Sequence, residues 1–531
     1  MNYTLHNKQL ALFLSAFFVI LSTVLKGQNN LMELKPGAEK LIYFKETGEH
    51  RLIGKININY QSNIIYCDSA SYFDSKQLIK AYGHVHLNKH DTLNLYCDSL
   101  HYNGNTRIAK LWGNVKIRDN VYKITTDSLD YDSRLEIAIY RNFGKIENNT
   151  NKEYLTSLRG YFYPKTKNIT VAKNVEFHGV TTKMFTDSLK YNSAKKKVTF
   201  LTKTSVYQTD STELFCNRGW FYTNTEEALL EGNAKIIKPK QHIFGDTLYY
   251  NPKNKSAFGK GNITYTEKKK GISFTGNRFS QSKIENKNYL TGNAIFSYQL
   301  KDDTLHIHAD TLFTFTDSTD QINKVKAYHN TRIYSHKTQG VCDSLIFTKK
   351  TINEIELLKK PILWNKNTEL KGDTIRLYLK DTILKYATIA PNSNAIMEVD
   401  TGNYYNQIAG KKMIAYFDTL NNIKQIHVQG NAQTIYFPEE SLKKDSLIEI
   451  QRKGMNRLYA SEIKVHIDSN QFKKVIYIDQ ADGLMYPMNG INKEEQFIPG
   501  FNWNPFLRPK SKADLLRKTS SASVKNKGKV K

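Results

Sequence analysis

The sequence lacks the features that mark several common classes of protein. Only 11 prolines and 28 glycines occur among its 531 residues, which argues against a disordered or collagen-like chain. No long stretch places apolar residues at the spacing of an amphipathic helix. Phosphate-cradling glycine loops, nucleophile elbows and repeated calcium-binding nonapeptides are also missing. The chemistries that depend on those motifs are therefore not indicated.

The N-terminus carries an apolar run that is typical of an export signal. Lys8 precedes apolar residues from Leu10 to Leu25, a length that is short for a bilayer span and suits a signal peptide. We predict a signal peptide over residues 1–27, with an uncleaved anchor as the alternative. No cysteine follows the run, so a lipid anchor is not supported. No later segment approaches about 18 apolar residues, and the mature chain is expected to be soluble.

The composition and the apolar pattern favour β-strands. Tyrosine (33 residues) and phenylalanine (26 residues) are abundant, and both are strand formers. Apolar and polar residues alternate at period two, as in Lys55–Tyr60. The net charge of +27 suits an anionic partner. Nucleic acid is not expected as that partner behind a signal peptide.

Two short motifs recur in phase along the chain. Copies of Asp-Ser/Thr-Leu-x-Tyr stand at Asp68–Tyr72, Asp98–Tyr102, Asp127–Tyr131, Asp187–Tyr191 and Asp246–Tyr250, with weaker ones at Asp310–Leu312, Asp343–Leu345 and Asp373–Ile375. A Gly-Asn-Val-like motif follows about 15 residues later, at Gly83–Leu87, Gly113–Ile117, Gly232–Ile236, Gly261–Ile263, Gly292–Ala294 and Gly430–Ala432. The fixed offset indicates a repeat of about 30 residues.

Each repeat supplies two or three short strands, and one repeat alone cannot bury its apolar face. Stacked copies can bury it, so the pattern predicts an elongated, all-β, β-solenoid-like stack. We expect four segments: the signal peptide, a first array over 28–265, a second array over 266–500, and a basic disordered tail over 501–531. The repeats in the second array become degenerate after about residue 402.

The alternation of the two motifs resembles OstA-like proteins, a family named for organic solvent tolerance. The resemblance implies a β-jellyroll open on one side, whose apolar groove holds acyl chains of lipopolysaccharide in the periplasm or at the outer membrane. It implies as partners lipid A, other jellyroll domains docked by strand edges, and the outer-membrane translocon. The chain is longer than a single-domain family member, which suggests a double-length form. It lacks the long barrel of the translocon, so a bridging role is favoured over a pore.

Apolar positions of the matching motifs are the candidate groove residues. The same pattern also fits a closed core, and the sequence does not decide between the two readings. The candidates are Val85, Leu87, Leu100, Val115, Ile117, Leu129, Leu189, Ile236, Leu248 and Ile263.

Other residues that suggest chemistry have simpler explanations. One aspartate per repeat, always before serine or threonine, fits a turn or bulge better than an acid–base pair. Two histidine pairs, His84 with His86 and His306 with His308, have no third metal ligand at convincing spacing. Cys67 and Cys97 lie one repeat apart and form a disulfide if their repeats are neighbours, whereas buried thiols are the alternative.

The sequence therefore predicts a non-enzymatic lipid-binding scaffold without metal or cofactor. Two other classes stay open: a secreted β-solenoid enzyme acting on polysaccharide, and a structural surface protein or adhesin. The enzyme requires acidic residues clustered in one or two repeats. The adhesin requires no apolar groove.

Overall fold

The computed structural model describes residues 32–517, except 62, 90–92, 119–120, 151, 301–302, 319–320, 381–382, 401, 445–446 and 470; it does not describe the side chains of 440–450 and 471. The predicted signal peptide and residues 518–531 lie outside this range. Among the described residues, no helix is long and apolar enough to cross a membrane.

The chain divides into two compact units, residues 1–209 and 210–531. The described residues of both units form antiparallel strands with a few short 3-10 turns and no α-helix, which confirms the predicted all-β class. The division between arrays expected at 265/266 lies inside a continuous strand, Ser256–Glu267.

The first unit contains sixteen strands in its described residues. They are β1 (Glu33–Leu34), β2 (Ala38–Phe44), β3 (Glu49–Tyr60), β4 (Asn63–Phe73), β5 (Leu78–Lys89), β6 (Leu93–Asn103), β7 (Ile108–Arg118), β8 (Tyr122–Asp132), β9 (Ile137–Tyr140), β10 (Gly144–Asn148), β11 (Tyr154–Ser157), β12 (Arg159–Tyr163), β13 (Asn168–His178), β14 (Thr182–Asn192), β15 (Lys197–Phe200) and β16 (Thr204–Gln208).

Strands β3 to β8 pair in chain order, and each is bent in the middle. In the β6–β7 pair, 94–96 face 116–118 and 99–103 face 108–112, with a register shift between the two stretches. Each strand therefore gives one arm to each of two layers. Burial in β6 falls on Leu93, Leu95 and Cys97, and then on Leu100 and Tyr102. Buried positions are odd-numbered before the bend and even-numbered after it, because one extra residue at the bend reverses the alternation. Both arms therefore turn their apolar side chains inward.

The bend is where the two sequence motifs meet. Gly113 and Asn114 on β7 both have positive φ, +74° and +50°. The Asn114 Nδ2 donates to the Asp98 Oδ2 on β6 at 2.9 Å. We call this hydrogen-bonded bend the corner. A second corner joins Asn262 to Asp246, with an Nδ2 to Oδ2 distance of 3.1 Å. The 15-residue offset between the motifs is thus the length of one hairpin, and the recurring aspartate is structural.

The corner makes a prediction about glycine. A Cβ at Gly113 would overlap the Asp98 carboxylate, whereas a Cβ at Gly48, also at positive φ, would meet nothing within 4 Å. We expect Gly48→Ala to cost about 1 kcal/mol from backbone strain alone. Gly113→Ala should cost about 3 kcal/mol because the overlap is added. Urea unfolding followed by far-ultraviolet circular dichroism measures both, and equal losses would contradict the corner geometry.

The second unit contains twenty-four strands in its described residues. They are β17 (Glu213–Cys216), β18 (Arg218–Tyr222), β19 (Ala228–Ile237), β20 (His242–Asn251), β21 (Ser256–Glu267), β22 (Ile272–Ser282), β23 (Lys287–Gln299), β24 (Thr304–Thr316), β25 (Ile322–Tyr334), β26 (Thr338–Thr348), β27 (Asn353–Leu358), β28 (Ile362–Asn365), β29 (Thr368–Lys371), β30 (Thr374–Lys380), β31 (Ile383–Ile389), β32 (Ser393–Asp400), β33 (Tyr404–Gly410), β34 (Lys412–Phe417), β35 (Ile423–Tyr436), β36 (Glu439–Lys444), β37 (Leu447–Arg452), β38 (Gly454–Asp468), β39 (Gln471–Ile478) and β40 (Asp482–Pro487).

Strands β19 to β26 repeat the bent, two-layered pairing of the first unit. Beyond β26 the layers are built from separate short strands, because β26 pairs with β28 through 338–341 and with β27 through 344–348. Strand β35 is long enough to join both layers again. The short strands coincide with the region where the sequence motifs weaken.

Residues 497–517, which we call the C-terminal strap, pack along the layer that contains β24, β26, β28 and β33. Ile498 is buried in a cluster with Phe437 and Met455. Leu515 is fully buried near the end of the strap. Residues 501–517 were expected to begin a disordered tail, and they instead form two 3-10 turns, Pro505–Leu507 and Ala513–Leu516.

A buried carboxylate fixes the middle of the strap. Glu369 is fully buried and accepts hydrogen bonds from the Trp364 indole at 2.9 Å and from the Asn504 backbone N–H at 3.1 Å. Lys371 forms an ion pair with it at 2.7 Å. The Asn504 side chain adds a contact of 3.3 Å. A buried charge is tolerated only with such partners.

The strap is predicted to open locally when this network is weakened. Asn504→Ala removes one donor from Glu369 and should make trypsin cleavage at Arg508 about tenfold faster. Asn502 is the matched control because its side chain is exposed, so Asn502→Ala should leave the rate unchanged. Peptide mapping by mass spectrometry gives the rates, and equal rates in the two variants would rule out the network as the anchor.

Candidate functional site

In each unit the two layers join at the corners. On the side away from the corners, the hairpins of one layer face the hairpins of the other, and we call this side the mouth. In the first unit this mouth is closed by hydrogen bonds between hairpins of different layers. Tyr60, at the β3–β4 hairpin, donates to Gln77 of the β4–β5 hairpin. Tyr102 donates to the Gln61 side chain at 3.0 Å. Burial raises the pKa of both tyrosines, so they remain neutral donors.

Further along the same mouth, Lys89 joins hairpins of the two layers. The Lys89 ammonium, at the end of β5, donates to the Ser133 carbonyl at 2.9 Å and to Glu136 at 3.0 Å. Both partners belong to the β8–β9 hairpin of the other layer. The described residues around these contacts therefore enclose a packed core.

The second unit contains a cavity of about 510 Å³ between its layers. Twelve of its seventeen lining residues are apolar or aromatic, and three of the other five are lysines. The lining residues are Lys269, Lys270, Ile272, Phe296, Tyr298, Leu300, Leu305, Ile307, Gln321, Ile322, Val325, Leu345, Phe347, Lys349, Asn353, Ile355 and Leu379. Leu305, Ile322, Phe347 and Leu379 are only partly buried, as expected of walls that face an opening.

Two bridges across the mouth bound this opening. On one side, the Gln241 side chain donates to Gln281 at 3.2 Å. On the other side, the Asn365 side chain donates to the Asn421 carbonyl at 2.9 Å. Four steps from one hairpin to the next along a layer separate the bridges, a span of about 38 Å at two strand spacings per step. The cavity lies between these bridges, so an elongated apolar ligand has a lateral way in.

The ten groove residues predicted from the sequence lie elsewhere. All ten are buried, with at most 3% of their surface exposed, and none of them lines the cavity. Seven belong to the first unit, and Ile236, Leu248 and Ile263 lie on β19 to β21. Their contact with lipid stays a prediction. The cavity residues have the same alternating pattern, so the pattern alone does not separate the two sets.

The other candidate side chains are held by their neighbours. His84 contacts Asp68 at 2.7 Å, and His86 stacks between Tyr66 and Tyr96 with ring centroids 5.5 and 4.4 Å away. In the described part of the chain, no three His, Cys, Asp or Glu residues converge as metal ligands. The repeated aspartates stand one to a corner, so no acid–base pair is assembled from them.

The predicted Cys67–Cys97 disulfide is absent, since both thiols are free and buried. Cys67 lies on β4 and Cys97 on β6, and β5 pairs between them. Two strand spacings are about 9.6 Å, beyond the reach of about 6.8 Å between Cα atoms. One 30-residue repeat advances the layer by two strands, which the sequence argument did not allow for.

These thiols should be inert in the folded protein. Burial raises the pKa of Cys67 and of Cys97 to about 12, against about 8.5 for a free thiol. At mildly alkaline pH we expect alkylation by iodoacetamide to be about a thousandfold slower than after unfolding. Non-reducing peptide mapping should recover both thiols. Recovery of a Cys67–Cys97 peptide pair would contradict the strand order described here.

Comparison with known protein families finds a match in the part of the chain where the corners recur. The model of the OstA-like protein family matches residues 37–187 and again 168–289. Residues 37–289 are OstA-like. The two overlapping matches agree with the double-length form expected from the motifs. The OstA-like segment ends within the cavity region, so most of the cavity walls, from Phe296 to Leu379, lie beyond it.

Other comparisons add little to this assignment. No curated protein matches the chain. The solved structures that match include the crystal structure of LptH, the LptA homologous periplasmic component of the lipopolysaccharide transport device from Pseudomonas aeruginosa. That likeness has 15% sequence identity and a TM-score of 0.18, and covers 20% of this chain and 75% of that chain. The fold described above rests on the strand pairings themselves.

Proposed function

We propose that this chain is a non-enzymatic lipid-binding scaffold in lipopolysaccharide transport, and that the cavity of its second unit holds acyl chains. The observation that carries the proposal is an apolar cavity that opens at the mouth and is rimmed by lysines. Apolar walls take up chains at about 0.8 kcal/mol per buried methylene. Lysines at the rim suit an anionic head that remains in water. The OstA-like segment supports the same transport class.

The proposal places the protein in the periplasm, with association to the outer membrane through its translocon. Partner domains of the jellyroll kind would dock on strand edges. Strand β2 supports this, since it pairs with β3 along one edge and exposes Leu41, Ile42, Tyr43 and Phe44 by 60, 40, 56 and 38%. Exposed apolar edges of this kind are otherwise an aggregation hazard.

Acidic residues give no comparable support to an enzyme. Asp98 and Asp246 each accept a hydrogen bond from the asparagine of the next strand. Glycoside hydrolysis needs two carboxylates held a few ångströms apart at one place. A structural surface protein remains the alternative, and it predicts no retained lipid.

The cavity is tested by a carboxylate placed on its wall. Leu305 lines the cavity and is partly exposed, so Leu305→Glu should fold and lower the fraction of protein with bound lipopolysaccharide at least about tenfold. Native mass spectrometry of protein purified from its own envelope measures that fraction. Leu420 is the matched control because it is 64% exposed on a hairpin, and Leu420→Glu should retain the lipid.

Circular dichroism confirms that each variant is folded before the comparison is made. If the unaltered protein retains no lipid even after incubation with excess lipopolysaccharide, the carrier function fails and the chain is a structural array. If Leu305→Glu and Leu420→Glu retain the same amount, lipid binds outside this cavity.

A further inference from the structure

The apolar cavity of the second unit is closed at both ends by packed side chains. On the side of β21, the Phe274 ring packs against both Phe296 and Tyr265, with ring centroids 5.2 Å apart in each pair. Phe296 lines the cavity, whereas Phe274 and Tyr265 stand behind it. On the side of β28 and β29, Leu363 and Leu370 are buried and do not line the cavity. The cavity therefore opens at the mouth and has a finite length along the stack of strands.

That length follows from the strands that form the walls. On one layer, the lining side chains come from β25, β26, β27 and β30, which pair in that order. Four neighbouring strands span three strand spacings, or about 14 Å. On the other layer, the lining strands are β22, β23 and β24.

The space beside the cavity does not extend its apolar walls. A second cavity of about 230 Å³ adjoins it and shares Lys270 and Ile322 with it. Ten of the thirteen residues that line this second cavity are polar or charged. An acyl chain gains from burial only where it leaves water for apolar surroundings, so it has little to gain by entering the second cavity.

The volume of the apolar cavity limits how much chain can enter. It is about 510 Å³. A water molecule takes up about 30 Å³ in the liquid, and a methylene group is of similar size. About 17 chain carbons therefore fill the cavity, which is the length of one long acyl chain. A lipid with several such chains can insert one of them and must leave the others at the mouth.

The family match does not decide the ligand of this cavity. The OstA-like segment ends at residue 289, and the walls from Phe296 to Leu379 lie beyond it. The capacity of the cavity is a property of these later residues, so it can differ from what a family member holds.

We propose that the cavity binds one acyl chain of about 17 carbons, and that it selects amphiphiles with a single unbranched chain over lipids with two or more. The inference rests on the proposed function in one respect, namely that acyl chains enter this cavity. Leu305 and Leu379 are partly buried in its walls, and they contact the part of the chain that lies nearest the head.

A series of lysophosphatidylglycerols with chains of about 8 to about 26 carbons tests the capacity. Displacement of a fluorescent fatty acid from the purified protein gives each affinity. The affinity should rise about fourfold with each added methylene up to about 17 carbons, and should then level off. A continued rise to the longest chain, or no dependence on length, would overturn the inference.

A variant that enlarges the cavity should move this limit. Phe347 lines the cavity and is partly buried, and Phe347→Ala removes about six carbons from the wall. The limit should then move to about 23 carbons. If circular dichroism shows that this variant is unfolded, Leu379→Ala removes about three carbons and should move the limit to about 20.

The matched control is the same truncation outside the cavity. Phe313 is partly buried on β24, packs against Tyr289 with ring centroids 5.2 Å apart, and does not line the cavity. Phe313→Ala should leave the limit at about 17 carbons. An equal shift in the control, or an unchanged limit in a folded cavity variant, would show that this cavity does not measure the chain.

The number of chains is tested with lipids that share one head group. The protein is incubated with equal amounts of lysophosphatidylglycerol and phosphatidylglycerol whose chains have the same length, about 16 carbons. Native mass spectrometry should find at least about tenfold more complex with the single-chain lipid, at one molecule per protein, because the second chain of the other lipid stays at the mouth. Equal retention of the two lipids would contradict the selectivity.

Other outcomes separate this inference from the proposed function. If the protein retains lipopolysaccharide but none of the lysolipids, the transport function stands and the single-chain inference is overturned. If it retains neither, lipid binding itself fails, and the inference fails with it.

Discussion

Each long strand of this protein must serve two layers, and the corner at its middle makes that possible. A strand of strict period two cannot turn from one layer to the other and keep its apolar side inward. One extra residue at the bend restores the parity, as burial on Cys97 and then Leu100 shows. Gly113 and Asn114 adopt the positive φ that the bend needs, and Asp98 fastens it from the preceding strand. The pairing of layers, the repeat length and the existence of a mouth all follow from this corner.

The corner also explains what sequence reasoning could find. It requires particular residue types at Asp98, Gly113 and Asn114, so it leaves a motif in each repeat, and the motifs predicted the all-β class and the period. The strand order within a layer leaves no such trace. Cys67 and Cys97 were paired on the assumption that one repeat advances a layer by one strand, whereas the hairpin adds two.

The sequence predicts the kind of site, an apolar groove between strands, but not which residues form it. Ile124 in the closed core and Ile307 in the cavity wall each stand three residues before a recurring aspartate, and both are buried apolar residues of the same alternating pattern. What distinguishes them is the contact between hairpins at the mouth, and that contact joins residues of different layers. Sequence patterns predict the strap even less well. The contact between Asn504 and Glu369 joins residues that are 135 positions apart, and it belongs to no repeated motif.

The state of the mouth follows from the side chains that its hairpins carry. Tyr60 and Gln77 are neutral and complementary, so they join the layers and the core behind them is closed. Leu305 and Phe347, which belong to different layers, line the cavity and are apolar, so they offer no hydrogen bond of this kind across the mouth. In this architecture a cavity can therefore arise from a change of side chains at the hairpins, without any change in the corner.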